Sequence, residues 1–166
     1  MKRWLLVVFI VLVLAAVVLI GGLTQIRLDA IQEPGHLETY LATRAKQFLI
    51  DRSSRDGIPP APADFQTNIQ EGDKLFATEC GMCHGSDGRT ASDAGRWMYP
   101  RASDLTAPPV QRYSDRELFW IIKNGIRLSG MPAFGRVESD EHIWNLVRYV
   151  RTLQASPRSE TEGEGQ

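Results

Sequence analysis

Residues 80–84 read CGMCH, and they hold both cysteines of this 166-residue chain together with one of its three histidines. Four kinds of chemistry use such a cluster. Two thiols at this spacing can cycle as a redox dithiol, close a small disulfide or supply half of a zinc site. With the adjacent imidazole they can also hold a haem covalently, the thiols forming thioethers while the histidine reaches the iron.

The rest of the chain separates these readings. Zinc needs about four ligands, and His36 and His142 stand alone with no second cysteine pair. A thioredoxin-like dithiol needs strands alternating with helices around it, whereas every periodic segment here reads as helix. A disulfide between Cys80 and Cys83 would close a very small loop and leave His84 unexplained. Haem attachment uses all three residues, so the motif predicts one covalently bound haem c on Cys80, Cys83 and His84.

An iron held by His84 has a sixth position to fill. Met131 lies in "SGMPAF" between Gly130 and Pro132, where glycine permits a sharp turn and proline stiffens it. A methionine there sits off any apolar helical face, which is where core-filling methionines are found. Met98 is the competing ligand, and Met82 is trapped between the cysteines. The predicted iron ligands are His84 and Met131.

Three helical stretches must position these groups. "NIQEGDKLFATECGMCHG" runs into the motif. "SDRELFWIIKNGI" opens on Ser114 with Glu117 three positions on, a capping box, and ends near Gly125. "SDEHIWNLVRYVRTLQ" sets Ile143, Leu146, Val147 and Val150 on one apolar stripe, with acidic residues first and arginines last, as the helix dipole favours. No strand alternation and no internal repeat is seen.

Upstream lie two further segments. Residues 4–23, "WLLVVFIVLVLAAVVLIGGL", contain no charged or amide side chain, and twenty helical residues span about 30 Å, the hydrocarbon thickness of a bilayer. Lys2 and Arg3 precede the run, so the positive-inside rule predicts a cytoplasmic N-terminus and an extracytoplasmic body. The apolar stretch is longer than a signal-peptide core and no small-x-small site follows it, which favours a retained anchor over a cleaved signal. In "HLETYLATRAKQFLIDRSSR", Leu37, Tyr40, Leu41, Phe48 and Leu49 recur at helical spacing, predicting an amphipathic helix from about His36 to Arg52. That helix is either a spacer packed on its own domain or a docking surface for a partner subunit or the bilayer. The prolines of "DGIPPAPADF" then make an extended connector. The expected divisions are an anchor over 1–26, helix and connector over 27–67, a haem domain over 68–155 and a disordered acidic tail over 156–166.

From about Asn68 to Gln154 the chain resembles the class I monohaem cytochromes c. "GDKLFATECGMCHG" is similar to their first helix and haem motif, "SDRELFWIIKNGI" to their central helix, "SGMPAF" to their axial-methionine loop and "HIWNLVRYVRTL" to their last helix, in family order. The resemblance implies an all-α fold, class I cytochrome c, around one haem. It also implies a crossing of the first and last helices near Gly72 and Phe76 on one side and Tyr149 on the other. In the family a proline carbonyl accepts a hydrogen bond from the proximal histidine, and Pro100 in "WMYPRASDL" is the candidate. Arg96, Arg101, Trp97 and Trp120 are candidate donors to the haem propionates.

With both axial positions filled, the iron has no open site, so electron transfer is expected rather than catalysis. The predicted protein is a membrane-anchored electron carrier, free or a subunit of a respiratory or photosynthetic complex, with redox proteins as partners. The alternatives are a haem sensor or peroxidase-like enzyme in which Met131 leaves the iron, and a structural subunit without turnover. Lysine and arginine number 19 against 20 acidic residues. That balance argues against nucleic acid as a partner and against strong electrostatic steering.

Overall fold

The computed structural model of the chain describes residues 2–23, 31, 33–62 and 69–155. The expected acidic tail, most of residues 24–32 and the last part of the proline-rich connector lie outside them. The described residues are helical, without strands, and divide into two units, Met1–Gln32 and Glu33–Gln166.

The first unit contains α1, Lys2–Leu23, in which an 18-residue window has a mean hydropathy of 3.3 and no buried position. Among the described residues it is the one helix long and apolar enough to cross a membrane.

The second unit begins with α2, His36–Ser53, and continues through α3, Ile69–Leu75, and a π-helical turn, Phe76–Cys80, into α4, Gly81–His84. Short helices α5, Asp93–Trp97, and α6, Pro108–Gln111, follow. Next come α7, Asp115–Asn124, a 3₁₀ turn over Phe134–Arg136, and α8, Asp140–Ala155. The helices expected on either side of the methionine loop are α7 and α8; α7 carries the expected capping box, and α8 also starts beside a serine cap. The Ser114 hydroxyl accepts from the Glu117 amide while the Glu117 carboxylate accepts from the Ser114 amide at 2.7 Å. Ser139 likewise accepts from the His142 amide at 3.2 Å.

The core forms where the stripe of α8 meets α7 and α3. Phe76, Phe119, Ile143, Leu146 and Val147 are fully buried, each such side chain contributing about 1.5–3 kcal/mol by leaving water. Phe119 stacks on Trp144 with ring centroids 4.6 Å apart. Arg151 pins α8 to the start of α7, donating to the Asp115 carboxylate at 2.7 Å and to the Gln111 and Tyr113 carbonyls. As the resemblance implied, α3 crosses α8 at Gly72, and Phe76 lies 5.0 Å from Tyr149, centroid to centroid.

Helix α2 packs on the domain against α7, but the face it buries is not its apolar stripe. Leu37, Tyr40, Leu41, Phe48 and Leu49 are all exposed, and the residues turned inward are Ile50, which is buried, and the half-buried Thr43, Lys46 and Gln47. The periodicity correctly marks a helix. It assigns the wrong side to the domain, because the inward face needs one large apolar residue and three polar ones rather than a full stripe. The helix is held at both ends by polar contacts. Glu33 pairs with Arg101 at 3.0 Å and Glu38 accepts from the Tyr99 hydroxyl at 2.7 Å, while Arg116 donates to the Ser54 and Arg55 carbonyls.

The Gly72 crossing gives the first prediction. A Cβ there would lie 2.2 Å from the Asn145 carbonyl oxygen and 2.9 Å from the Tyr149 Cβ, so Gly72→Ala forces two backbones apart. Helix propensity would repay about 1 kcal/mol, less than the roughly 3 kcal/mol at the upper end of overpacking costs. A thermal melt of the full-length variant in detergent should show Tm lowered by on the order of 10 °C. An unchanged Tm would show that the helices cross elsewhere.

Candidate haem site

The π-helical turn and α4 deliver the motif to a cleft. Cys80, Cys83 and His84 stand three and four positions apart, which on a helix is one face, and all three line the cleft. Phe76, at the start of the wide turn, stays in the core, and Met82 points out into solvent. Extra width of this kind is common at functional helix segments.

Cys80 and Cys83 are free thiols, not joined to one another. Burial, reinforced by the charges of Glu79 and Cys83, pushes the Cys80 thiol up to about 12. Such a thiol is protonated at neutral pH, the reverse of the lowered value that a redox dithiol's nucleophile has. His84 is shifted in the opposite sense: burial lowers its pKa, and a hydrogen bond to the Ser103 carbonyl only partly opposes this. The imidazole is therefore neutral at pH 7. Its Nδ1 lies 2.9 Å from that carbonyl oxygen, which can only accept. The proton must sit on Nδ1, and Nε2 keeps its lone pair for a metal.

Met131 reaches the same cleft from the loop after α7. Gly125 ends that helix at φ 67, and a Cβ on it would lie 2.7 Å from both the Met131 and Pro132 carbonyl oxygens. The loop is closed on itself. Ile126 donates to the Met131 carbonyl at 3.3 Å, and the Ser129 hydroxyl accepts from the Met131 amide and donates to the Ile126 carbonyl. These bonds hold Leu128 at φ 63, a backbone conformation that costs such a residue of order 1 kcal/mol. Met98 also lines the cleft, with its sulfur over Gly130, where a Cβ would meet it at 2.5 Å.

The remaining expected residues are only partly brought together. Pro100 lines the cleft, but the acceptor for His84 is Ser103, three residues later, so the proline-carbonyl assignment is corrected. Arg101 lines the cleft as well. Arg96 does not, being ion-paired with Asp93 on the outside of α5. Trp97 is 78% exposed, and Trp120 lies on a different side of α7 from Leu118, Ile121 and Ile122, the residues that α7 gives to the cleft. Sequence reasoning missed Ser103, which acts through a backbone atom that no residue type announces, and Lys46 of α2, which joins the lining from a helix ahead of the expected haem domain. The one signal for Lys46 was its place on α2 opposite the apolar stripe.

Leu118, Ile121, Ile122, Leu146 and Val150 make the rest of the cleft apolar. Two free thiols, a neutral imidazole with a free Nε2, thioether sulfurs and an apolar lining are the donor set and surroundings that a flat macrocycle with thioether links and axial ligands requires. These residues fit haem c.

Residues 67–150 match the family model described as cytochrome C oxidase, cbb3-type, subunit III. Among solved structures, a chain of the Kuenenia stuttgartiensis reducing HAO-like protein complex is similar, with a TM-score of 0.53 and 22% identity over 59% of this chain and 49% of that one. This chain thus spans about half the length of that relative, and the likeness is one of fold. The family match, by contrast, covers half of this chain and takes in the thiol pair, the imidazole, the methionine loop and most of α8. The chain belongs to the cbb3-type cytochrome c oxidase subunit III family, as a monohaem c-type cytochrome whose covalently bound haem c serves electron transfer.

Proposed function

We propose that this protein is a membrane-anchored, extracytoplasmic carrier of single electrons, free or within a larger redox complex, with iron held between His84 Nε2 and Met131 Sδ. The observation that carries this reading is the convergence of Cys80, Cys83, His84 and Met131 on one apolar cleft. Haem c, when bound, supplies a one-electron couple. The residues supply the rest. Cys80 and Cys83 would hold the group through thioethers, and the His84–Ser103 hydrogen bond fixes the ring and raises its basicity. The apolar lining excludes water, and the closed loop over 125–132 presents the Met131 sulfur without needing to rearrange. With haem bound, the soft Met131 thioether and the His84 imidazole would together favour the reduced metal, which suits a carrier of fairly high potential.

The anchor reading rests on α1 and on Lys2 and Arg3 before its apolar run. Full-length protein should stay with membranes through an alkaline carbonate wash and keep its first residues when the N-terminus is sequenced. Recovery of a soluble form starting near Thr24 would show a cleaved signal instead.

The axial assignment separates the two methionines. Met131→Ala should lower the reduction potential by a sizeable part of the ~0.8 V that axial ligands command, and the variant should admit carbon monoxide or azide. Met98→Ala should do neither and should cost about 2 kcal/mol, the low end for a methionine only half-buried. Redox titration of both variants, followed by ligand addition, checks this. Reversed phenotypes would make Met98 the ligand, and free entry of ligands in the parent protein would favour a sensor or peroxidase-like role.

A further inference from the structure

Lys46 is the charged group of the cleft that electron transfer, as described so far, leaves without a task. It stands on α2, before the family-matched residues begin, one helical turn ahead of the buried Ile50 and on the same face. Polar contacts flank it on both sides. Contacts from Glu33 and Glu38 fix the segment ahead of Lys46, and those of Arg116 to the Ser54 and Arg55 carbonyls fix the segment after it.

Three formally charged side chains line the cleft, and two of them are accounted for. Arg101 is bound to Glu33, and Glu79 adjoins Cys80, adding to the shift of that thiol. Among the described residues Lys46 makes no ion pair or hydrogen bond. Burial lowers its pKa and no neighbouring carboxylate restores it. An ammonium that loses water without gaining a counter-ion is destabilised. A lysine's long stem ordinarily carries its head out to solvent, where this cost is avoided. Here Lys46 lines a largely apolar cleft in which no carboxylate, Glu79 included, pairs with it, so the anion that would pair with it has to come with the occupant.

The occupant of this cleft, haem c, carries two carboxylates on an otherwise apolar macrocycle. We propose that Lys46 is a haem-binding residue whose Nζ donates a charge-assisted hydrogen bond to a haem propionate, so that α2 closes the propionate edge of the cleft from ahead of the family-matched residues. The proposal rests on the haem occupying the cleft described above. Its consequence is electrostatic: a cation held close to the macrocycle in a low-dielectric site favours the reduced form, which carries one positive charge fewer, and so raises the potential.

The test uses the full-length, haem-loaded protein in detergent, as parent, Lys46→Gln, Lys46→Met and Lys46→Arg. Lys46→Met keeps the packing of the aliphatic stem if the glutamine variant matures poorly. Resonance Raman reads the propionate bending modes, a redox titration reads the potential, and the near-infrared sulfur-to-iron band reports the axial ligands. In the glutamine and methionine variants the propionate modes should shift and the potential should fall, with the near-infrared band kept. Lys46→Arg should hold the parental modes and a potential close to parental. Propionate modes that stay parental in both neutral variants would overturn the proposal. Loss of the near-infrared band or of the low-spin spectrum in them would also overturn it, because Lys46 would then be supporting the iron ligands rather than a propionate. Absence of covalent haem from the parent itself, read by haem staining after denaturing electrophoresis, would refute the cytochrome reading and is distinguishable from both.

Discussion

Where α3 meets α8, only a hydrogen atom fits between the Gly72 backbone and the Asn145 carbonyl, and that limit sets the position of everything downstream. With the helices this close, Phe76 lands against Tyr149, and the π-helical turn begins inside the core rather than beyond it. The widened turn then needs only one further helical turn to bring Cys80, Cys83 and His84 to the cleft, whose opposite lining includes Leu146 and Val150 from that same α8. Scaffold and site are therefore one packing problem. Arg151 tightens it from the far end of α8 by tying that helix to the start of α7, the helix whose glycine end launches the methionine loop.

Burial governs the chemistry of the site as well as its shape. Desolvation penalises whichever form of a group is charged, so the same apolar cleft raises Cys80 and lowers His84. Both shifts leave neutral groups at pH 7. For an imidazole that is the ligating form. For a thiol it is the unreactive one, and the motif is accordingly a poor redox dithiol despite its spacing. The hydrogen bond from His84 to Ser103 works within this setting: it pulls modestly against desolvation, and its main effect is to decide which ring nitrogen keeps the lone pair.

How much of this was legible in the sequence depended on how local the signal was. The CGMCH cluster, the Ser114 capping box and the apolar stripe of α8 each lie within a few turns of chain, and each stands where local chemistry said it would. Gly72 was legible through resemblance, since only a close crossing demands a residue without a side chain. Ser103 was not, because a backbone carbonyl has no signature and which one meets His84 depends on the path of the loop after α5. Trp97 and Trp120 misled for a related reason: large amphipathic side chains suit a haem pocket, but α5 turns Trp97 to solvent and α7 gives the cleft a different face. The short helices α5 and α6 escaped notice because four or five residues carry no period.

The orientation of α2 shows most clearly where periodicity stops being informative. A helix with apolar residues on one side is expected to bury that side, yet α2 buries Ile50 and presents Lys46 to the cleft while five large apolar residues stay exposed. Ile50 contributes about 1.5–3 kcal/mol, and the polar contacts at the two ends add modestly, since exposed ion pairs give about 0–1 kcal/mol each. Attachment of this strength is enough to place one side chain at the edge of the cleft. It is small beside the core beneath α8, so α2 opens at a lower cost than that core does. The core holds the thiols, the imidazole and the methionine loop whether or not α2 is seated, whereas the electrostatic environment at the cleft's edge changes with the seating of that single helix.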